Sequence, residues 1–115
     1  IIMALQYKNQ GFILTTTNLT TTLTIAADSR ALVKSISVTN EHNSNNLVEM
    51  YLRDNSAGTD YEFYHNSMTA DETAQAAGQV LVLEESDGIK MQAATANVVK
   101  GVISYALINR SEENG

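Results

Sequence analysis

A chain of 115 residues with a formal net charge of −6, no cysteine and no proline is long enough to bury one hydrophobic core without a covalent staple. The missing cysteine excludes disulfides and thiolate metal or redox sites, and an acidic balance with seven scattered Lys and Arg excludes a nucleic-acid partner, whose phosphates need clustered cations. Apolar runs such as residues 80–83 fall far short of the about 20 residues that cross a bilayer, so no membrane partner is expected.

Taken in order, Ile1-Ile2-Met3 has neither a basic region nor a long apolar one, so no secretory signal is read. Residues 1–11 are expected as an N-terminal arm on a single domain spanning residues 1–115. Phe12 opens an apolar cluster that runs into threonines. Leu19, Thr21, Leu23 and Ile25 then alternate with Asn18, Thr20, Thr22 and Thr24, which predicts a strand with Leu and Ile inward and hydroxyls outward. Asn18-Leu19-Thr20 and Asn109-Arg110-Ser111 match glycosylation acceptors, but without a secretory signal both are taken as chance.

Residues 31–40 (ALVKSISVTN) predict the next strand, with Leu32, Ile36 and Val38 in phase. Lys34 breaks that phase, so either the strand bulges there or Lys34 sits at an exposed end. The asparagine-rich residues 41–46 form a loop. Residues 47–54 and 60–66 should pair antiparallel across a hairpin in which Gly58 takes a positive φ. In residues 68–78, Thr69 and Glu72 have capping-box spacing, yet a lone two-turn helix is marginal, so a loop with a short edge strand is expected. Strands follow at residues 79–84 and 89–93, separated by the turn Glu85-Ser86-Asp87-Gly88, and residues 110–115 form a frayed polar tail.

The last strand, residues 98–109 (VVKGVISYALIN), is apolar on both faces: Val98, Val102, Ala106 and Ile108 on one, Val99, Ile103, Tyr105 and Leu107 on the other. It is therefore interior or lies at a partner interface. These patterns predict an all-β, antiparallel, jelly-roll-like β-sandwich of about eight strands. Its core should include Leu23, Ile25, Ile36, Val38, Val48, Met50, Leu52, Phe63, Val80, Val82, Ile89, Met91, Val102 and Ile103.

The residues that could carry chemistry are few. There are only two histidines. His65 is expected as a partly buried imidazole on a face with Tyr61 and Phe63, and His42 lies in a soft loop. Asp54, Ser56 and Asp60 surround a glycine, but Gly58 falls one position early for a calcium loop and His65 stands where the bidentate Glu belongs. Glu84, Glu85 and Asp87 form an acidic corner, expected to be solvated. No Gly-x-Ser-x-Gly elbow or glycine-rich phosphate cradle occurs. No catalytic, cofactor-binding or metal-ligating set is therefore assigned, no cofactor is expected, and the chain is read as not an enzyme.

Three pieces in order, ALVKSISVTN, EMYLRDNSAGTDYEFYHN and AAGQVLVLEESDGIKMQAATANVVKGVISY, give the chain a resemblance over residues 31–105 to small virion structural proteins of tailed bacteriophages, notably marine and cyanobacterial phages. The resemblance implies a β-sandwich that assembles on the phage particle as a head decoration or cement protein, with a neck or tail position as the alternative. Implied partners are a second copy of the chain, with a trimer as first choice, and other phage structural proteins such as the major capsid protein; the implied location is the virion, assembled in the bacterial cytoplasm. A soluble carbohydrate-binding module presenting Tyr7, Tyr51, Tyr61, Tyr64 and Tyr105 is the competing class. The expected interaction residues are Val98, Val99, Tyr105 and Leu107 of the two-faced last strand, and Thr20, Thr22 and Thr24 of the threonine ladder.

Overall fold

The computed structural model describes residues 4–109. Val, Ile and Thr, whose branched side chains suit a pleated surface, recur through its strands: β1 (Ala4–Ile13), β2 (Thr20–Thr24), β3 (Ser29–Asn40), β4 (Asn46–Asp54), β5 (Thr59–Met68), β6 (Thr73–Gln75), β7 (Leu81–Leu83), β8 (Gly88–Ala93) and β9 (Val99–Asn109). They form two antiparallel sheets. Sheet I runs β1-β9-β3, with β6 and β7 both on the far edge of β3, and sheet II runs β2-β8-β4-β5. The chain crosses from one sheet to the other between nearly all successive strands, the jelly-roll form of the antiparallel sandwich. With β6 and β7 counted as one interrupted strand, the expected eight are present.

The interruption has a local cause. Val33 pairs with Tyr105 and Ser35 with Ser104, which leaves Lys34 as an extra residue in β3. The bulge reverses the strand's phase, so Ala31 and Val33 point inward before it and Ile36 and Val38 after it. On the other side of β3, β7 pairs with Ala31, Leu32 and Val33, and β6 with Ser37, Val38 and Thr39. The gap between them therefore falls at the bulge, where the Ala76 N–H donates to the Ile36 carbonyl at 2.8 Å.

Between the sheets lie Ile25, Val33, Ile36, Val38, Val48, Met50, Leu83, Ile89, Met91, Val99 and Ile103, all at most 2% exposed. Several expectations need correction. Residues 4–11 of the expected arm are strand β1, paired along its length with β9, and residues 110–115 lie outside the described residues. Val80, Val82 and Val102 are exposed rather than core. In β7 it is Leu83 that is buried, and Val102 stands on the outer side of β9. Leu19 precedes β2 and is exposed, because β2 begins only at Thr20. Leu52 and Phe63 are partly buried against the core.

Polar staples close both ends of the sandwich. At one end the fully buried Asn40 amide donates to the carbonyls of Ser44, Met68 and Thr69, and its Oδ1 accepts the His42 N–H. Asn46, also buried, accepts the Thr95 N–H at 3.0 Å. At the other end Asp87, expected in the solvated acidic corner, is 4% exposed and accepts the backbone N–H groups of Glu84 and Asn55 at 2.9 and 3.0 Å. Glu84 is exposed, and Glu85 pairs with Arg30 at 3.0 Å. The β4–β5 hairpin forms as expected, with Gly58 at φ 65°. The Asp54 carboxylate accepts the Ala57 N–H and the Ser56 hydroxyl, and these bonds hold it below the usual carboxylate range. Thr69 and Glu72 bond as half a capping box, but around a turn that leads into edge strand β6.

Gly101 sets how closely β9 fits between its neighbours. It pairs with Phe12 on one side and Val38 on the other. A Cβ there would stand 2.6 Å from Phe12 Cζ and collide with the Ser37 carbonyl oxygen. The phenyl ring thus fills the space that a side chain would take, as aromatic residues do beside strand glycines.

Unfolding free energies of three variants check this packing. Ile103→Ala should destabilise by about 2–5 kcal/mol through lost transfer energy and a cavity. Thr22→Ala, which removes a 3.2 Å bond from its hydroxyl to the Ile89 carbonyl, should cost only about 0.5–1.5 kcal/mol. Gly101→Ala should cost about 1–3 kcal/mol or more, since a backbone oxygen has to give way.

Candidate interaction surface

Residues paired across neighbouring strands share a face, so the registers identify what each sheet shows to solvent. On the outside of sheet I, one row reads Tyr7, Ala106, Leu32 and Val82 across β1, β9, β3 and β7. The next row reads Leu5, Ile108 and Arg30, and a third, further along, Gly11, Val102 and Ser37. Tyr7 is 74% exposed, Val82 55%, Leu5 52% and Val102 42%. Lys34, pushed out by the bulge, reaches across β9 and places its Nζ 5.6 Å from the centre of the Tyr7 ring, a cation–π contact at the rim of an apolar band.

The outside of sheet II has the opposite character. Across β4 and β5 it carries the pairs Glu49–His65, Tyr51–Glu62 and Arg53–Asp60, flanked on β8 by Gln92 and Lys90. Asp60 is held by Arg53 at 3.3 Å and by Lys90 at 3.4 Å. The Tyr51 hydroxyl donates to Glu49 at 2.8 Å. That bond, followed by desolvation and the nearby Glu62, pushes the phenol up to about 12. Desolvation also pushes Glu62 up, but contacts with Glu49, His65 and Tyr51 outweigh it and hold the carboxyl below the usual glutamate value.

The expected interaction residues separate onto different surfaces. Val99 is fully buried and is a core residue. Tyr105 and Leu107 are partly buried against the core from the inner side of sheet I, and half-buried Val98 packs there too, just before β9. The apolar set left outside is Val102, Ala106 and Ile108, which alternate without interruption along β9. Thr20, Thr22 and Thr24 lie on β2, but Thr22 is an extra residue at a bulge. Its hydroxyl turns to the Ile89 carbonyl and that of Thr20 to the Asn18 carbonyl, leaving Thr24 exposed; they do not form a continuous ladder. Sequence reasoning missed Leu5, Tyr7, Leu32 and Val82. Leu32 and Val82 stand between apolar neighbours and were expected in the core, because the sequence does not show which side of a strand apolar on both faces turns inward. His65 was expected beside Tyr61 and Phe63; instead it is exposed on the polar face with Glu49 and Glu62.

No protein-family model matches the sequence, and no curated protein matches it. Solved structures do. A chain from the acidic stable capsid structure of Helicobacter pylori bacteriophage KHP30 superposes with a TM-score of 0.61 at 14% identity, over 95% of this chain and 91% of that one. A chain of the Macrobrachium rosenbergii extra small virus particle gives 0.48 at 9% identity over 94% and 80%. One from the cyanophage Pam1 capsid asymmetric unit gives 0.40 at 14% over 93% and 84%. The likeness to the KHP30 chain shows a shared fold over nearly the full length of both.

Because the Tyr7 ring packs only on the sheet's outer surface, Tyr7→Ser should lower stability by no more than about 1 kcal/mol. Denaturant unfolding of the two proteins checks that this surface is dispensable for folding.

Proposed function

We propose that the chain is a non-enzymatic structural component of a phage particle. In this reading it is a head decoration or cement protein on the outside of the capsid, and the outer face of sheet I meets its neighbours. The observation that carries the reading is the contrast between the two outer faces of a jelly roll similar over its length to a chain in a phage capsid structure. One face is polar and charged, and the other bears a band of Leu5, Tyr7, Leu32, Val82 and Ile108, with Val102 set apart from it by a row of Asn9, Ser104 and Ser35. Monomers in solution rarely leave such a contiguous apolar band uncovered, and closed symmetry buries one patch per subunit. The self-partner is therefore a homo-oligomer, with a trimer as first choice, seated on the major capsid protein; a neck or tail position would use the same face. The negative charge keeps the subunit soluble before assembly.

The carbohydrate-module reading finds little support. Tyr7 stands on the outside of sheet I, Tyr105 on its inner side and Tyr51 on the outside of sheet II, while Tyr61 and Tyr64 lie on edge strand β5. Five tyrosines so dispersed make no stacking platform.

Sedimentation of the purified chain should give an oligomer. Tyr7→Glu combined with Val82→Glu should shift it to monomer with the melting temperature little changed. Mixed with phage heads lacking the protein, the wild type should co-sediment and the double variant should not. A wild-type monomer that fails to bind particles and is absent from the purified virion proteome would overturn the reading.

A further inference from the structure

A second bulge, in β5, assembles a group of side chains that the virion reading does not use. Met50 pairs with Tyr64 and Tyr51 with Glu62, so Phe63 is the extra residue. In a regular strand Glu62 and His65, three apart, would point to opposite faces. The bulge reverses the phase and brings both to the outside of sheet II, opposite Glu49 and Tyr51; re-aiming a side chain is a recurrent use of bulges.

One ligand-capable atom from each of Glu49, Glu62 and His65 lies within 4.8 Å of the other two. His65 Nδ1 is 3.3 Å from Glu62 Oε2 and 3.6 Å from Glu49 Oε2. The first is a hydrogen bond at the long end of the range and the second is beyond hydrogen-bond reach, whereas N–H···O bonds are most often about 2.9–3.0 Å. Both separations are close to the roughly 3.4 Å edge of a tetrahedron of ligands with metal bonds of about 2.0–2.1 Å. Glu49 Oε2 is also fixed from the side by the Tyr51 hydroxyl at 2.8 Å, as outer-shell partners fix carboxylate ligands.

Charge balance points the same way. One register step along, Asp60 is neutralised by Arg53 and Lys90. Among the described residues, the only ion-pair partner of Glu49 and Glu62 is His65, a side chain that serves metals as a neutral ligand. Two carboxylates and one imidazole would thus balance a divalent cation.

We propose that Glu49, Glu62 and His65 form a divalent-metal site of zinc type on the outer face of sheet II, with Tyr51 as a positioning residue. The imidazole selects borderline transition ions over calcium or magnesium, which prefer all-oxygen shells. A three-ligand set leaves a coordination position open to water or to another donor.

Calorimetric titration of the full chain with ZnCl2 near neutral pH, in a buffer that does not chelate, tests the site. The expected result is saturable one-to-one binding that is lost in His65→Ala, weakened by at least about tenfold in Tyr51→Phe, and unchanged in His42→Ala. Glu62→Gln, which keeps the side chain's shape, should also abolish binding and serves in place of His65→Ala if circular dichroism shows that variant unfolded. CaCl2 should give no saturable heat. Absence of one-to-one zinc binding, its persistence in His65→Ala or Glu62→Gln, or calcium binding as tight as zinc would overturn the proposal. None of these outcomes depends on whether the chain is a virion component.

Discussion

The structure depends on the insertion of β9 between β1 and β3. The last described strand pairs on one side with the first and on the other with the longest, so sheet I is complete only when β1 and β9 meet. At Gly101 the approach is so close that Phe12 and the Ser37 carbonyl together exclude even a methyl group. These pairings are far apart in sequence, and their loop-closure entropy has to be met before the contacts offset it. Once they form, the inner sides of β3 and β9 present Val33, Ile36, Val38, Val99 and Ile103 to sheet II as one surface.

Bulges then decide what each strand shows. The extra residues are Thr22 in β2, Lys34 in β3 and Phe63 in β5. A period-2 pattern survives on either side of a bulge but changes face across it. Lys34 lets β3 bury Val33 and Ile36, three apart, and divides the partner edge into β6 and β7. Phe63 lets both Phe63 and Tyr64 pack against the core while moving His65 out to Glu49 and Glu62. One extra residue thus changes the surface chemistry of half a strand.

The two outer faces divide the labour of the proposed subunit. The apolar rows of sheet I have little polar character to hold them in water, whereas on sheet II the charges pair among themselves around Asp60 or gather around His65. Buried Asn40, Asn46 and Asp87 brace the loops at both ends. Each staple satisfies backbone groups that would otherwise be left unpaired where strands leave the sheets. With no cysteine in the chain, these polar staples rather than disulfides hold the ends of the sandwich.

By itself the sequence determined the class of fold, the hairpin at Gly58, a disturbance at Lys34 and most of the core, because alternation and turn chemistry act over a few residues and need no partner to be read. It also showed that the last strand is apolar on both sides, which pointed to cover beyond a single core. Only the tertiary structure decided which side of β9 faces in, that residues 4–13 complete sheet I rather than hang from it, that Asp87 is a buried staple, and that Glu49, Glu62 and His65 meet. Each of those outcomes turns on strand register and on the placement of a single extra residue. Register is set by pairing between distant segments, and a slip of one residue exchanges the two faces while leaving the local pattern unchanged.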